Sequence, residues 1–283
     1  MRWRGERESD NIEDGRGMSG GGKVAIGGGI GAIIVLVIGL LTGKDFSSLL
    51  NTSQDPSVTQ SANNGPRAPR SDDSTAHFVS VVLASTEDVW SKIYRDNNMQ
   101  YQQPKLRMFD EAVQSACGNA SAAMGPFYCP ADQKVYIDLS FCNELKERFR
   151  APGNFAIAYV VAHEVGHHVQ NLMGISEQVQ RQRSRLSEAD YNKLSVKLEL
   201  QADFLAGVWA FHANQMRGIL EPGDLESALT AANAIGDDKL QKEAQGYVVP
   251  DAFTHGTSQQ RMYWFKRGFE SGNLNLGRFQ DIR

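Results

Sequence analysis

Val160–Gln170 reads VVAHEVGHHVQ, and this one stretch holds three of the chain's six histidines and a glutamate among apolar neighbours. Asn154 precedes it as a candidate N-cap and Gly174 follows as a candidate C-cap, so the spacing predicts a helix over FAIAYVVAHEVGHHVQNLMG. That helix is apolar on nearly every side as far as His163, which predicts a central position. His163 and His167 are four residues apart and share one helical face. Two imidazoles so placed reach a single metal ion at Zn–N distances of about 2.0–2.1 Å. Glu164 follows His163 directly, beside the ion rather than on it, where a general base would act on water. His168 points about 100° away from His167 and reads as a core or surface residue.

Catalytic zinc usually takes three protein ligands and keeps one open position, so two histidines are too few. KLELQADFLAG, further along, supplies Glu199 and Asp203, again four apart on one predicted helix. Their neighbours Leu198, Leu200, Ala202, Phe204, Leu205 and Ala206 are apolar, and carboxylates there need a partner or a metal. Glu199 reads as the third ligand. Asp203 reads as the acceptor that fixes a ligating histidine's tautomer.

HExxH followed by ExxxD on a second helix resembles the gluzincin metallopeptidases. VVAHEVGHHVQ together with ELQADFLAG, GPFYCPADQKVYIDLSF and FTHGTSQQR looks like the bacterial family called "putative neutral zinc metallopeptidases" over most of residues 76–275 and the N-terminal apolar stretch. The resemblance implies a zincin-like domain, α+β but mostly α, with a small sheet. It implies one catalytic Zn²⁺ on His163, His167 and Glu199, with Glu164 as base. Membrane-linked gluzincins of the CAAX-endopeptidase type have a late histidine upstream of an arginine, similar to His255 and Arg261 here. His255 folded over the metal would donate to the oxyanion of the tetrahedral intermediate; the alternative is a loop histidine. Arg261 reads as a salt-bridge residue tying down the terminus. In zincins an edge strand before the HExxH helix commonly pairs with substrate, a role open to Lys134–Phe141 alongside that of an ordinary core strand.

The rest of the chain divides by composition. The net charge of −4 carries no basic face, so nucleic acid is not an expected partner. Residues 1–23 are charged and Gly-rich, and 24–43 (VAIGGGIGAIIVLVIGLLTG) are uncharged and long enough to span a bilayer. Arg2, Arg4, Arg7, Arg16 and Lys23 precede that run and Lys44 follows it, which predicts a single-pass inner-membrane protein with a cytoplasmic N-terminus. Residues 44–75 read as a flexible linker, and 76–283 as a peptidase domain on the periplasmic or extracytoplasmic side. In such a compartment Cys117 and Cys129 are a plausible disulfide, leaving Cys142 as the odd thiol; three reduced cysteines are the alternative.

Elsewhere, the second half of HFVSVVLASTEDVWSKIYRDNN suits an amphipathic helix, and KLRMF a short strand. KVYIDLSF alternates with period two and predicts a half-buried strand, followed by a polar helix in NELKERFR. One long helical region is expected around residues 176–216, another helix around 224–241, and a last one carrying Met262, Trp264, Phe265 and Phe269. The expected activity is hydrolysis of peptide bonds in envelope proteins or peptides. The rival reading is a membrane-anchored zinc-binding assembly factor or chaperone without catalysis.

Overall fold

The computed structural model describes residues 1–17, 73–151 and 153–282. It is mostly helical, with a small sheet. Strand β1 (Ile12–Asp14) comes first, then helix α1 (Ser74–Asp96), strands β2 (Lys105–Phe109), β3 (Ala112–Ser115), β4 (Gly118–Ser121), β5 (Phe127–Cys129) and β6 (Lys134–Asp138). Helices α2 (Ser140–Glu147), α3 (Asn154–Leu172), α4 (Ile175–Gln180), α5 (Glu188–Arg217), α6 (Asp224–Ala234), α7 (Asp237–Gln245) and α8 (Ser258–Ser271) complete the chain.

The main sheet has the order β1-β2-β6-β5, with β5 antiparallel to β6 and the other neighbours parallel. β3 and β4 form a separate antiparallel hairpin. β6 is narrower than the alternating run suggested. It ends at Asp138, whose carboxylate accepts from the Ser140 amide at 2.8 Å and turns the chain into α2. It is also buried on both faces, with Val135 and Ile137 in the main core and Tyr136 under the hairpin beside Phe109 and Cys129. Paired to β2 on one side and β5 on the other, β6 has no free edge for a substrate. Among the described residues, the free edge nearest the HExxH helix belongs to β5.

α3 is the central helix. It packs on α1, α5 and α6 and meets β5 and β6. Phe155, Ala156, Tyr159, Ala158 and Val165 are fully buried. Asn154 is its first helical residue rather than a side-chain cap, and Gly153 breaks the chain ahead of it at φ +93°. Gly166 lies where α3 and α5 cross: a Cβ there would stand 3.0 Å from the Ala202 carbonyl oxygen. α5 and α8 approach closer still, since a Cβ on Gly268 would fall 2.0 Å from the Phe204 carbonyl oxygen. The long helical region divides because the Ser187 side chain caps α5 at the Asp190 amide. The next divides at Gly236, which is pressed on Ser258 at the start of α8.

The N-terminal residues correct the sequence reading. The expected fold class placed one transmembrane helix between a separate N-terminal segment and the domain. Instead β1 pairs in parallel with β2, Ile12 opposite Leu106, as part of the domain's own sheet. Arg7, Ser9 and Asn11 all bond the buried Glu87 carboxylate on α1. Arg16 bridges Asp14 and Asp73, which holds the end of the first described segment against the start of the second. A single crossing between residues 17 and 73 would put β1 and β2 on opposite sides of a bilayer, which their pairing forbids. No helix among the described residues is long and apolar enough to cross a membrane. The stretch 24–43, most of the expected linker and Lys23 lie outside the described residues.

Candidate metal centre

The crossing of α3 and α5 brings three donors together. Nitrogens of His163 and His167 and a carboxylate oxygen of Glu199 all lie within 4.8 Å of one another. His163 Nε2 is 3.2 Å from Glu199 Oε2, and His167 Nε2 is 3.4 Å from Glu199 Oε1. Each ring's other nitrogen is engaged elsewhere, so both Nε2 atoms are turned to one point. Two imidazoles and a carboxylate are a donor set suited to zinc.

The outer contacts explain how the rings are held. Asp203, fully buried one turn after Glu199, accepts from His163 Nδ1 at 2.9 Å and from the Tyr159 hydroxyl. Arg261, 2% exposed on α8, grips the same carboxylate through Nε at 2.8 Å and Nη2 at 3.0 Å. Burial works against the charge on Asp203, but Arg261 and His163 outweigh it and hold its carboxyl below the usual range. His163 is likewise opposed by burial, yet Asp203 and Glu199 lift it to about 10. Arg261 thus does not fasten a terminus; it neutralises the acid behind His163.

His167 has a partner that sequence reasoning missed. Its Nδ1 donates to Gln170 Oε1 at 2.9 Å, and Gln170 Nε2 donates to the Leu198 carbonyl at 2.7 Å. Gln170 therefore orients His167 and ties α3 to α5 beside Glu199. Its place three residues after His167 was the available signal. Burial raises Glu164, against the pull of His163 and His167, so its carboxyl sits above the ordinary range. That direction suits a group that must take up a proton.

His255 reaches the same region from the loop between α7 and α8. Gly256, at φ +87°, seats that loop on α5: a Cβ there would meet Val196 and Leu200 side chains at 3.2 Å, either side of Glu199. His255 Nδ1 lies 3.1 Å from Asp237 Oδ1. Asp237 Oδ2 accepts from the Thr254, His255 and Gly256 amides at 2.7, 2.6 and 3.1 Å. Burial lowers His255, but Asp237 and then Glu199 raise it above its ordinary value. Asp237 opens α7 and looks in the sequence like a helix-start acid; its hold on a loop 18 residues later is legible only in three dimensions.

The remaining candidates lie apart from the donors. Cys117 and Cys129 form a disulfide that ties the β3–β4 turn to the end of β5, and Cys142 is a buried free thiol. His168 is fully buried away from the donor cluster, and burial pushes it below its ordinary value.

A two-helix His-His-Glu cluster, with an adjacent glutamate and a buried acid behind one histidine, is a candidate centre for a divalent metal ion. The chain belongs to the family described as "Putative neutral zinc metallopeptidase", whose model matches residues 1–278. That match takes in β1 together with both metal-centre helices. The chain is 50% identical over 278 residues to the "Uncharacterized protein YpfJ" of Escherichia coli K12, covering 96% of each chain. It is 38% identical over 209 residues to the "Uncharacterized protein Rv2575" of Mycobacterium tuberculosis H37Rv, covering 70% of each. No solved structure matches it significantly.

Proposed function

We propose that the protein is a zinc-dependent peptidase, with Glu164 as general base. The observation that carries this reading is the convergence of His163, His167 and Glu199 with Glu164 on the adjoining turn of α3. His163, His167 and Glu199 would hold the ion, which supplies Lewis acidity to the scissile carbonyl and to water. Glu164 takes the attacking water's proton on its carboxylate and passes it to the leaving amine. His255, with Nδ1 held by Asp237, would donate from Nε2 to the developing oxyanion. A zinc site that only braced the fold would have no use for Glu164, which disfavours the assembly-factor reading.

The substrate is an extended peptide pairing along the free edge of β5, in place of the interior strand β6. The Cys117–Cys129 disulfide supports an oxidising, extracytoplasmic place of action. The test is turnover of a peptide library by the zinc-loaded full chain. Cleavage should stop with chelator, return with zinc, and be absent in Glu164→Gln. Cleavage that persists in metal-free protein would refute the reading.

A further inference from the structure

β5 is three residues long and, among the described residues, has one ladder neighbour, β6. A strand that short on an open edge frays unless something else holds it. Its side chains alternate. Phe127 stacks on Tyr136 with centroids 4.7 Å apart, and Cys129 carries the disulfide; both lie on the hairpin side. Tyr128 points the other way, onto α3.

There it meets His168. The Tyr128 hydroxyl is 3.0 Å from His168 Nδ1, and Asn171 Nδ2 donates to the same hydroxyl at 3.1 Å. His168 Nε2 is 2.6 Å from the Gln102 carbonyl oxygen. A carbonyl only accepts, so Nε2 carries the ring proton and Nδ1 is the acceptor. The Tyr128 hydroxyl must then donate to His168 while it accepts from Asn171. One direction satisfies every member: Asn171 to Tyr128, Tyr128 to His168, His168 to Gln102. Tyr101 closes over the imidazole, edge to face, at 5.8 Å.

The relay joins β5, the segment leading into β2, and α3 at the residue after His167. We infer that Tyr128 and His168 are positioning residues that fix the substrate-bearing edge of β5 relative to the metal helix. This rests on the peptidase reading for the word substrate, but the strand's fixation is measurable by itself. Neither residue touches the donors; they act through the strand.

The decisive variant is Tyr128→Phe, which removes one oxygen and leaves the ring in place. In the zinc-loaded full chain, amide exchange in Phe127–Cys129 should quicken by about tenfold, the scale of one lost buried hydrogen bond, with α3 exchange and zinc content unchanged. For a peptide long enough to lie along β5, KM should rise by about three- to tenfold with kcat within about twofold, the pattern of lost ground-state binding. A short substrate confined to the metal should show no change. Asn171→Ala, which strips one donor from the same hydroxyl, should give a smaller shift in the same direction. Unchanged exchange at β5 in Tyr128→Phe would overturn the inference. So would exchange rising equally across α3, or a loss of kcat with KM fixed, since each marks a merely structural role. If the wild type turns over no peptide, the peptidase reading fails, and the exchange measurement still decides whether this relay holds β5.

Discussion

His255 shows how one residue's role depends on a partner the sequence hides. Its Nδ1 faces Asp237, so a neutral ring would keep its proton there and present a bare Nε2, which cannot donate to an oxyanion. Donation needs the doubly protonated ring. Asp237 favours that form and, against the effect of burial, raises His255 above its ordinary 6.5. Activity should therefore fall on the alkaline side as pH rises through the raised value, and Asp237→Asn should move that limb to lower pH. An unmoved limb in a pH profile of kcat/KM would detach His255 from catalysis. Stability follows the same sign. The raised histidine contributes fully below 6.5 and loses its contribution as pH rises through the folded value; the lowered Asp237 contributes above 3.8 and loses it as pH falls. The Tm difference between wild type and Asp237→Asn should thus be largest between those two values.

At the scale of elements, the metal centre is a crossing of two helices, and Gly166 sets its closeness. A Cβ there would stand 3.2 Å from the Ala202 Cα as well as against its carbonyl. Gly166→Ala should cost about 1–3 kcal/mol by overpacking. It should also weaken zinc binding, because His163 and His167 ride on α3 and Glu199 on α5. Thermal melts and chelator competition check the two effects; full zinc affinity in a destabilised variant would show that the crossing does not set the donor spacing. Both helices were legible in the sequence because their signals are local: four-residue spacing, an apolar surround, a glycine at the end. Asp237 was not, because it holds a loop 18 residues later that only folding brings near, while Gln170 stood three residues after His167 with its bond to Leu198 hidden until α3 and α5 cross. The alternation in KVYID was read correctly as a strand, but its outer face is covered by the β3–β4 hairpin, which leaves no trace in the alternation itself.

For the whole molecule, the sequence suggested a domain preceded by detachable parts, whereas the first residues are built into the domain. β1 has three residues and no strong period, so local pattern could not find it. What fastens this segment is non-local: Glu87, buried on α1, accepts from Asn11 at 2.8 Å and Arg7 at 3.0 Å and also holds Ser9. Glu87→Ala would leave those donors without their acceptor, and should cost about 1–3 kcal/mol and expose residues 1–17 to limited proteolysis. An unchanged melt and digestion pattern would mean that the segment is held by its strand pairing and its other ion pairs, such as Arg16 with Asp73. A hydrolytic metal centre, with Glu164 acting beside the ion rather than binding it, is what we propose for this chain. The most direct measurement is zinc content and peptide turnover, side by side, in the wild type and in Glu164→Gln. About one zinc per chain is expected in both, with cleavage only in the wild type. Loss of zinc in the variant would make Glu164 a ligand, and undiminished cleavage in it would rule Glu164 out as the base.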